Sequence, residues 1–176
     1  HGHHRRQRQM CIRDRANKES LVACGDLLIE ISKTTRSEII PLDSEHSAIW
    51  QCIKNEEDKY VKSIVITASG GSLRDMPIKE LSSVTPEIVL NHPTWNMGDK
   101  ITVDSATLIN KVFEVKEAAN LFDIPLEDIE VIFHDESIIH GMANMVDGNS
   151  LALLSEPNMR IPIPVSYTHL RAHETR

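Results

Sequence analysis

The sequence has few cysteines and no long apolar run. Its three cysteines, Cys11, Cys24 and Cys52, show neither the paired spacing of a metal site nor the framework of a disulfide-bonded scaffold, which fits a reducing compartment. No apolar run approaches the roughly 20 residues that cross a bilayer, and the first residues contain no apolar core of a secretory signal. These absences favour an intracellular protein that has no membrane partner.

Basic residues are scarce between the two ends of the chain. Residues 16–164 contain 12 basic and 24 acidic residues, which argues against a nucleic-acid partner. The first 15 residues instead carry five arginines, as a binding arm or targeting signal would, or as a segment foreign to the protein would. The strings "MCIRDR" and "VSYTHLRAHET" resemble translated sequencing-adapter read-through. We therefore expect 1–15 and 165–176 to be non-native and exclude both from the prediction of the fold.

Hydrophobic patterning predicts alternating helices and strands. Helical spacing is found over 17–32, from Ser44 onward and over 104–120, and "TPEIVLNHP" fits one short helix. Apolar runs predict strands at "EIIPL", "KSIVITAS", "IEVIFH" and "GNSLALL", the last entered by a turn at Asp147 and Gly148. The alternation indicates an α/β domain without internal repeats.

Two carboxylates stand where the first apolar run ends, at Asp43 and Glu45 in "PLDSEH". Ligands collect at the carboxyl ends of strands in α/β sheets, and residues two apart in an extended segment point to one side. The two carboxylates can therefore converge on one cation, for which their hard oxygen atoms suit Mg²⁺ or Mn²⁺. The alternative is a helix start, with Asp43 as the N-cap and Glu45 in the first turn, and this segment taken alone favours the cap.

The small-residue loop "ASGGS" leaves the second predicted strand. Its glycines allow backbone N–H groups to turn toward an anion, to which Ser69 and Ser72 add hydroxyl groups, and phosphate is the expected anion. The alternative is a plain turn, because most Gly-Gly pairs only reverse the chain.

The predicted helix over 104–120 carries a polar stripe of Asn110, Lys111 and Glu114. Its apolar face is expected to contain Leu108, Val112, Val115 and Ala119. The stripe fits a solvated face with a surface ion pair, or an amide and an ammonium on a phosphosugar with Glu114 on the metal of Asp43 and Glu45. Sequence spacing leaves both interpretations open.

The loop that precedes this helix contains His92, Trp95 and Met97. Such a loop can close over a ligand as a lid, or can be anchored by burial of the indole. His134 and His140 are interpreted as structural histidines near strand ends.

Five motifs in order resemble 1-deoxy-D-xylulose 5-phosphate reductoisomerases of the non-mevalonate isoprenoid pathway. They are "ANKESLVACG", "PLDSEHSAIWQ", "TASGGSLRD", "HPTWNMGDKITVDSATLINKVFEV" and "LLSEPNMRIPI", and together they extend over residues 16–164. Five motifs in one order are far more specific than any one of them.

The resemblance implies an enzyme that isomerises 1-deoxy-D-xylulose 5-phosphate and reduces the product with NADPH to 2-C-methyl-D-erythritol 4-phosphate. It implies a divalent cation, Mg²⁺ or Mn²⁺, and a homodimer in the full-length parent. The expected architecture is the end of a Rossmann-like NADPH-binding domain over 16–42 and an α/β catalytic domain with a mixed sheet over 43–164. The expected location is a bacterial cytoplasm, with a plastid stroma as the alternative.

The resemblance also implies roles for individual residues by motif position. Asp43, Glu45 and Glu114 correspond to metal ligands, and Lys18, Glu45 and His92 to catalytic residues. Substrate contacts correspond to Lys18, Ser44, Glu45, Ser69, His92, Ser105, Asn110, Lys111 and Glu114. Asn17, Glu19 and Gly98 match positions at the nicotinamide cofactor, and Trp95 and Met97 fall in the mobile loop of the active site.

The chain also departs from the family pattern. The Gly-rich nucleotide-binding half and the C-terminal helical domain of the family are absent from these 176 residues. We therefore expect a fragment that does not oxidise NADPH alone. The alternatives are a truncated α/β fragment without catalytic activity, or a different metal-dependent phosphosugar enzyme. Asp135 stands where many family members have proline, but it matches no ligand position.

Overall fold

The computed structural model describes residues 18–35 and 37–165. The predicted non-native segments, 1–15 and 165–176, lie outside these residues except for Val165. The elements in chain order are α1 (Lys18–Thr35), α2 (Ser44–Ile53), β1 (Val61–Ala68), α3 (Pro86–Leu90), α4 (Asp99–Ala106), α5 (Ile109–Phe122), β2 (Ile129–Phe133), β3 (Ile139–Met145) and β4 (Ser150–Leu154). Among these residues, no helix is both long enough and apolar enough to cross a bilayer.

The four strands form one mixed sheet in the order β2-β1-β3-β4. β1 and β2 are parallel and are connected by α3, α4 and α5, whereas β3 is antiparallel to both β1 and β4. The carboxyl ends of β1 and β2 therefore meet the beginning of β3 at one edge of the sheet. The predicted α/β class with a mixed sheet is confirmed.

The core joins α2 and α5 to the centre of the sheet. Ile49 of α2, Ile64 and Ile66 of β1, and Ala118 of α5 are fully buried in one cluster. α1 packs against α5, and the Asn120 side-chain amide donates a hydrogen bond to the Leu21 carbonyl at 3.0 Å. The start of α1 is thereby fixed beside the polar stripe of α5.

Gly141 of β3 sets the position of the first turn of α2. A Cβ atom at this position would lie 2.9 Å from Cγ1 of Ile49 and 3.0 Å from the backbone oxygen of Glu45. At these separations the Ile49 side chain and the Glu45 backbone would have to shift, so glycine allows α2 to approach β3 this closely. Asp43 and Glu45 are therefore held directly against the sheet.

One predicted strand is absent from the described residues, and one observed strand was not predicted. The "EIIPL" segment forms no strand, and Ile39, Ile40 and Pro41 instead line a cavity. Strand β3 was not predicted, because Gly141 and Asn144 interrupt its apolar pattern. Pairing with β1 and β4 on its two sides establishes β3 in spite of this weak local signal.

The helix predicted over 104–120 is two helices. Leu108 separates α4 from α5 in the left-handed conformation, with φ of 61°. Leucine seldom adopts this conformation, so the local sequence pattern did not indicate a break in the helix. The predicted apolar face was wrong in its first two residues, since Leu108 and Val112 are 39% and 59% exposed, whereas Val115 packs against the core as predicted and Glu114, Glu117 and Ala118 are buried. The break directs the polar side of α5 inward.

We predict that Gly141→Ala destabilises the chain by about 1–3 kcal/mol, because the added methyl group overpacks the contact between α2 and β3. Urea unfolding of the 176-residue chain measures the change. Gly98→Ala is the control, since a Cβ atom there meets nothing within 4 Å. Equal unfolding midpoints for the two variants would contradict the close contact at Gly141.

Candidate active site

A cavity of about 440 Å³ opens where β1 ends. Most residues that the sequence singled out line it: Lys18, Asp43, Ser44, Glu45, Ser69, His92, Trp95, Met97, Ser105, Asn110, Lys111 and Glu114. Glu19 and Gly98 do not line it, and Asn17 lies outside the described residues. Lys100, two residues after Gly98 in sequence, forms an ion pair with Glu19 at 3.1 Å.

Three carboxylates converge inside this cavity. Asp43 and Glu45 come from the start of α2, Glu114 comes from the middle of α5, and one carboxylate oxygen of each lies within 4.8 Å of the others. The convergence expected from the sequence is confirmed. The expectation that Asp43 and Glu45 stand at the end of a strand was wrong, because both residues lie at the start of helix α2.

Asp43 occupies the N-cap position of α2, but its side chain makes no capping hydrogen bond. Its carboxylate instead contacts the Lys18 ammonium at 2.6 Å. The prediction that Asp43 is the N-cap is therefore correct for its backbone position, but its side chain does not cap the helix. Ser44 donates a hydrogen bond to Glu45 at 2.5 Å, which orients the second carboxylate.

Two lysines neutralise the buried carboxylates. Lys18 reaches from α1 to Glu114 at 2.9 Å as well as to Asp43. Lys111 contacts Glu45 at 2.8 Å, and its ammonium also pairs with Glu114, one turn along α5. Glu114 is 1% exposed, so the solvated-face interpretation of the α5 stripe was wrong. Asn110 completes the network, donating to Glu114 and accepting from Lys18.

The pKa values of the cluster reflect competition between burial and charge. Burial raises the pKa of Glu114 to about 7, and the negative charges of Glu45 and Asp43 act in the same direction, against the two lysines. Burial opposes the charge of Lys18, yet Asp43 and Glu114 outweigh it and raise the Lys18 pKa. Asp43 is the opposite case, since Lys18 outweighs burial and lowers its pKa. One carboxyl group of the three therefore titrates near neutral pH.

This donor set fits a divalent cation. Carboxylate oxygens are the ligands that Mg²⁺ and Mn²⁺ prefer, and Asp43, Glu45 and Glu114 carry one more negative charge than the two lysines balance. Repulsion between carboxylates at this separation is relieved by a cation or by a proton, and burial together with this repulsion raises the pKa of Glu114.

The loop after β1 lies against the end of α4. Gly71 has φ of +67°, and a Cβ atom there would lie 2.5 Å from the backbone oxygen of Ser105. Arg74 donates to the Ser69 carbonyl at 2.9 Å and to the Asp135 carboxylate at 2.7 Å. The loop is thereby held between two neighbouring segments, and Ser69 and Ser105 face the same cavity.

Lys111 brings a positive charge to this loop. Its ammonium donates to the Thr67 carbonyl at 2.6 Å, at the end of β1. Ser69, Ser105, Asn110 and Lys111 thus offer hydroxyl, amide and ammonium donors to one cavity, next to the three carboxylates. The arrangement can bind an anionic group and a cation side by side.

The loop with His92 and Trp95 forms one wall of the cavity. His92 Nδ1 accepts hydrogen bonds from the backbone N–H groups of Thr94 and Trp95, and the Trp95 ring lies 6.4 Å from the His140 ring. Met97 also faces the cavity. The loop therefore contacts the site directly, as both the lid and the anchored-loop interpretations require.

Sequence reasoning missed two residues beneath the carboxylates. His46 is fully buried, donates to the Glu114 carbonyl at 2.9 Å and stacks on Phe122. Glu117 lies 3.9 Å from the same ring nitrogen, Nε2, and burial raises its pKa to about 7 although the interaction with His46 opposes the shift. Glu117 stands three residues after Glu114 on the same helix face, which was the available signal.

Fold and site together define an α/β domain that gathers carboxylates, lysines and hydroxyl groups at the end of a mixed sheet, as small-molecule enzymes do. Comparison with known proteins makes the class specific. Residues 39–122 match the family model described as the 1-deoxy-D-xylulose 5-phosphate reductoisomerase C-terminal domain. Proteins named 1-deoxy-D-xylulose 5-phosphate reductoisomerase match at 52% identity in Ruminiclostridium cellulolyticum and 51% in Bacillus pumilus, each over 88% of this chain and 40% of the relative.

Solved structures give the same answer. A crystal structure of DOX-P reductoisomerase in complex with NADPH, fosmidomycin and magnesium aligns with a TM-score of 0.82 and 42% identity, over 87% of this chain and 40% of that one. The Zymomonas mobilis enzyme in complex with NADPH aligns with a TM-score of 0.77 and 46% identity, over 84% and 38%. The chain belongs to the 1-deoxy-D-xylulose 5-phosphate reductoisomerase family, and it spans about 40% of the length of the curated relatives it matches.

We predict that the metal-free chain loses stability as the pH rises from about 4.5 to about 7. The folded chain keeps a proton on Glu117 in this window, whereas the unfolded chain has released it, so a higher pH favours unfolding. Glu117 alone contributes on the order of 3 kcal/mol to this loss. Urea unfolding at several pH values measures the slope, which Glu117→Gln should reduce and the exposed control Glu127→Gln should not. An unchanged slope in Glu117→Gln would place the titration elsewhere.

Proposed function

We propose that the chain forms the central catalytic region of an enzyme that converts 1-deoxy-D-xylulose 5-phosphate to 2-C-methyl-D-erythritol 4-phosphate. The observation that carries this proposal is the convergence of Asp43, Glu45 and Glu114 beside the hydroxyl and ammonium donors of one cavity. The names of the relatives, and the NADPH and magnesium in their solved structures, support the same activity. The chain spans about 40% of those relatives, so the proposal concerns the protein of which these residues form the catalytic region.

In this proposal, Asp43, Glu45 and Glu114 hold a divalent cation, Mg²⁺ or Mn²⁺. The cation would supply Lewis acidity to the oxygen atoms of the substrate while its carbon skeleton rearranges. The chain's own residues shape that site: α2 and α5 fix the three carboxylates, and Ser44 orients Glu45. Lys18 is the proposed substrate contact beside Asp43, and its ammonium holds that carboxylate ionised.

The donors at the end of β1 are assigned to the phosphate group of the substrate. Several convergent donors are needed to offset the loss of hydration when a phosphate enters a cavity. Ser69, Ser105, Asn110 and Lys111 provide them, and His92 adds a ring nitrogen. Such contacts would orient the substrate with its reacting carbon atoms over Glu45 and Glu114.

NADPH is the proposed reductant and would supply the hydride. Asn17, Glu19 and Gly98 are the proposed contacts of its nicotinamide portion, and the ion pair between Glu19 and Lys100, two residues after Gly98, supports this grouping. Trp95 and Met97 are proposed to cover the bound substrate and exclude water, since their loop already forms a wall of the cavity.

A homodimer and a bacterial cytoplasm complete the proposal. Phe133 and Leu154, at the ends of the two outer strands, are 56% and 60% exposed, and apolar side chains at sheet edges fit a partner surface. The relatives from Ruminiclostridium, Bacillus and Zymomonas support a bacterial location.

We predict that the chain binds Mn²⁺ and that Glu114→Gln weakens this binding at least about tenfold, because a neutral amide replaces a carboxylate that faces two others. Titration of the chain with Mn²⁺, followed by electron paramagnetic resonance of the free ion, measures Kd without any catalytic assay. The exposed Glu56→Gln is the control. Retention of parental affinity in Glu114→Gln would remove Glu114 from the proposed ligand set.

We predict that Lys111→Ala raises KM for 1-deoxy-D-xylulose 5-phosphate by about tenfold or more, since a charge-assisted contact to phosphate is lost. The assay follows NADPH absorbance in the Ruminiclostridium cellulolyticum relative whose matching 154 residues are replaced by those of this chain. Lys116→Ala, an exposed lysine of the same helix, is the control. An unchanged KM would limit Lys111 to its ion pairs, and no activity in the unsubstituted chimera would count against the proposed function.

A further inference from the structure

Helix α1 is interrupted at Cys24, between two helical segments. Cys24 has φ of −137° and ψ of 31°, which lie outside helical values. A sharp break in a helix has an identifiable cause, and one such cause is a side chain that inserts into the ladder of backbone hydrogen bonds. The side chain that reaches this break is Asn120 of α5.

Asn120 contacts α1 on both sides of the break. Its side-chain amide donates a hydrogen bond to the Leu21 carbonyl at 3.0 Å. In a regular helix that carbonyl accepts from the backbone N–H group four residues later, at Gly25. A Cβ atom on the buried Gly25 would lie 2.0 Å from the amide nitrogen of Asn120 and 2.5 Å from its Cγ atom. The amide therefore occupies the space that a side chain at position 25 would take.

Lys18 is the first residue of α1 and stands one turn before Leu21. Its Nζ atom lies 2.6 Å from Asp43, 2.9 Å from Glu114 and 3.0 Å from the Asn110 side-chain oxygen. An ammonium group has three N–H bonds, so these three acceptors match it in number. Two of the acceptors belong to α5, which also carries the asparagine at the break.

We propose that Asn120 is a positioning residue, which holds the break in α1 at Cys24 and thereby places the Lys18 ammonium among its three acceptors. The helical segments before and after Cys24 would turn relative to each other if Cys24 became helical, whereas Ala118 keeps α5 in the core. The first segment would then carry Lys18 away from its acceptors. The placement of the ammonium rests on these contacts, whereas its importance for the substrate rests on the proposed function.

The Lys18 ammonium can be observed in the 176-residue chain. In cold, mildly acidic solution, ¹H–¹⁵N spectra detect ammonium groups whose N–H bonds are all accepted, because such groups exchange slowly with water. The signal that disappears in Lys18→Gln assigns Lys18. Lys111 is the internal reference, since its ammonium contacts Glu45, Glu114 and the Thr67 carbonyl and is attached to α5 itself.

Two substitutions remove the contact from its two sides. Asn120→Leu keeps a branched side chain and removes the donor, whereas Gly25→Ala keeps the donor and displaces it from the Leu21 carbonyl. We expect both to accelerate hydrogen exchange of the Lys18 ammonium at least about fivefold, the factor that corresponds to one hydrogen bond. The Lys111 signal should stay unchanged. An unchanged Lys18 signal in either folded variant would overturn the proposal.

Ile64→Val is the control for a general loss of stability. Ile64 is fully buried in β1, and the shorter side chain should lower the urea midpoint without a change at α1. Both ammonium signals should therefore stay as they are in the unsubstituted chain. If Ile64→Val altered the Lys18 signal as much as Asn120→Leu does, the effect would follow from stability and the positioning role would be overturned.

Mn²⁺ affinity supplies a second readout, and its sign separates positioning from loosening. The Lys18 ammonium balances the charge of Asp43, so its withdrawal leaves the three carboxylates more negative. In mildly alkaline solution, we expect Asn120→Leu to strengthen Mn²⁺ binding at least about threefold, in the same direction as Lys18→Gln. A merely loosened site would bind Mn²⁺ more weakly, and that result would overturn the proposal.

The double variant shows whether Asn120 acts through Lys18. Once Lys18→Gln has removed the ammonium, Asn120→Leu should not strengthen Mn²⁺ binding further. Additive strengthening would overturn the proposed route. If the unsubstituted chain binds no Mn²⁺, the ligand set of the proposed function fails, and the ammonium spectra still decide whether Asn120 positions Lys18.

Discussion

The structure depends on one buried charge, the carboxylate of Glu114 in the middle of α5. A carboxylate that is 1% exposed is costly unless charges or hydrogen bonds compensate it. Lys18, Lys111 and Asn110 supply the compensation from two helices. This requirement fixes α1 against α5 and directs the polar side of α5 inward. The cluster is thus a packing constraint as well as a candidate site.

The burial of Glu114 also explains why the apolar face of this helix was predicted incorrectly. Helical periodicity assigns the apolar side of a helix to the core, and by that rule Leu108 and Val112 belong inside. The backbone break at Leu108 and the ion pairs of Glu114 reverse the assignment, so that the polar stripe is buried and Val112 is exposed. Periodicity measures local amphipathicity only, and it contains no information on Lys18 of α1, which lies 96 residues away from Glu114 in sequence.

The predictable parts of the fold were those with a strong local signal. The β-branched run of β1 and the apolar spacing of α1 and α2 needed no tertiary information. β3 could not be found in this way, because its pairing with β1 and β4 and its contact with α2 compensate for Gly141 and Asn144. "EIIPL" failed for the converse reason, since a suitable pattern found no neighbouring strand.

Some features of the candidate site were likewise predictable from the sequence, and others were not. The order of the motifs, through the family resemblance, identified most of the residues that line the cavity. Spacing alone could not decide whether Asp43 is a helix cap or a ligand. Its side chain is directed by Lys18, a contact between segments that no local pattern contains. His46 escaped notice because nothing in its spacing distinguishes a histidine below a site from one in an ordinary core, whereas the only signal for Glu117 was its position three residues after Glu114.

Charge balance links the fold to the chemistry that the site can perform. Three carboxylates and two ammonium groups leave one negative charge, and Glu114, with a pKa of about 7, can remove it by taking up a proton. The metal-free cluster therefore approaches neutrality near pH 7 through its own residues, which lets it stay buried. Lys18 and Lys111 keep the carboxylates together although their charges repel, so the separation of Asp43, Glu45 and Glu114 is set before any ligand binds. An arrangement held in this way loses little freedom when a ligand binds, and that is the physical advantage of building a binding site from the ion pairs that also hold the helices together.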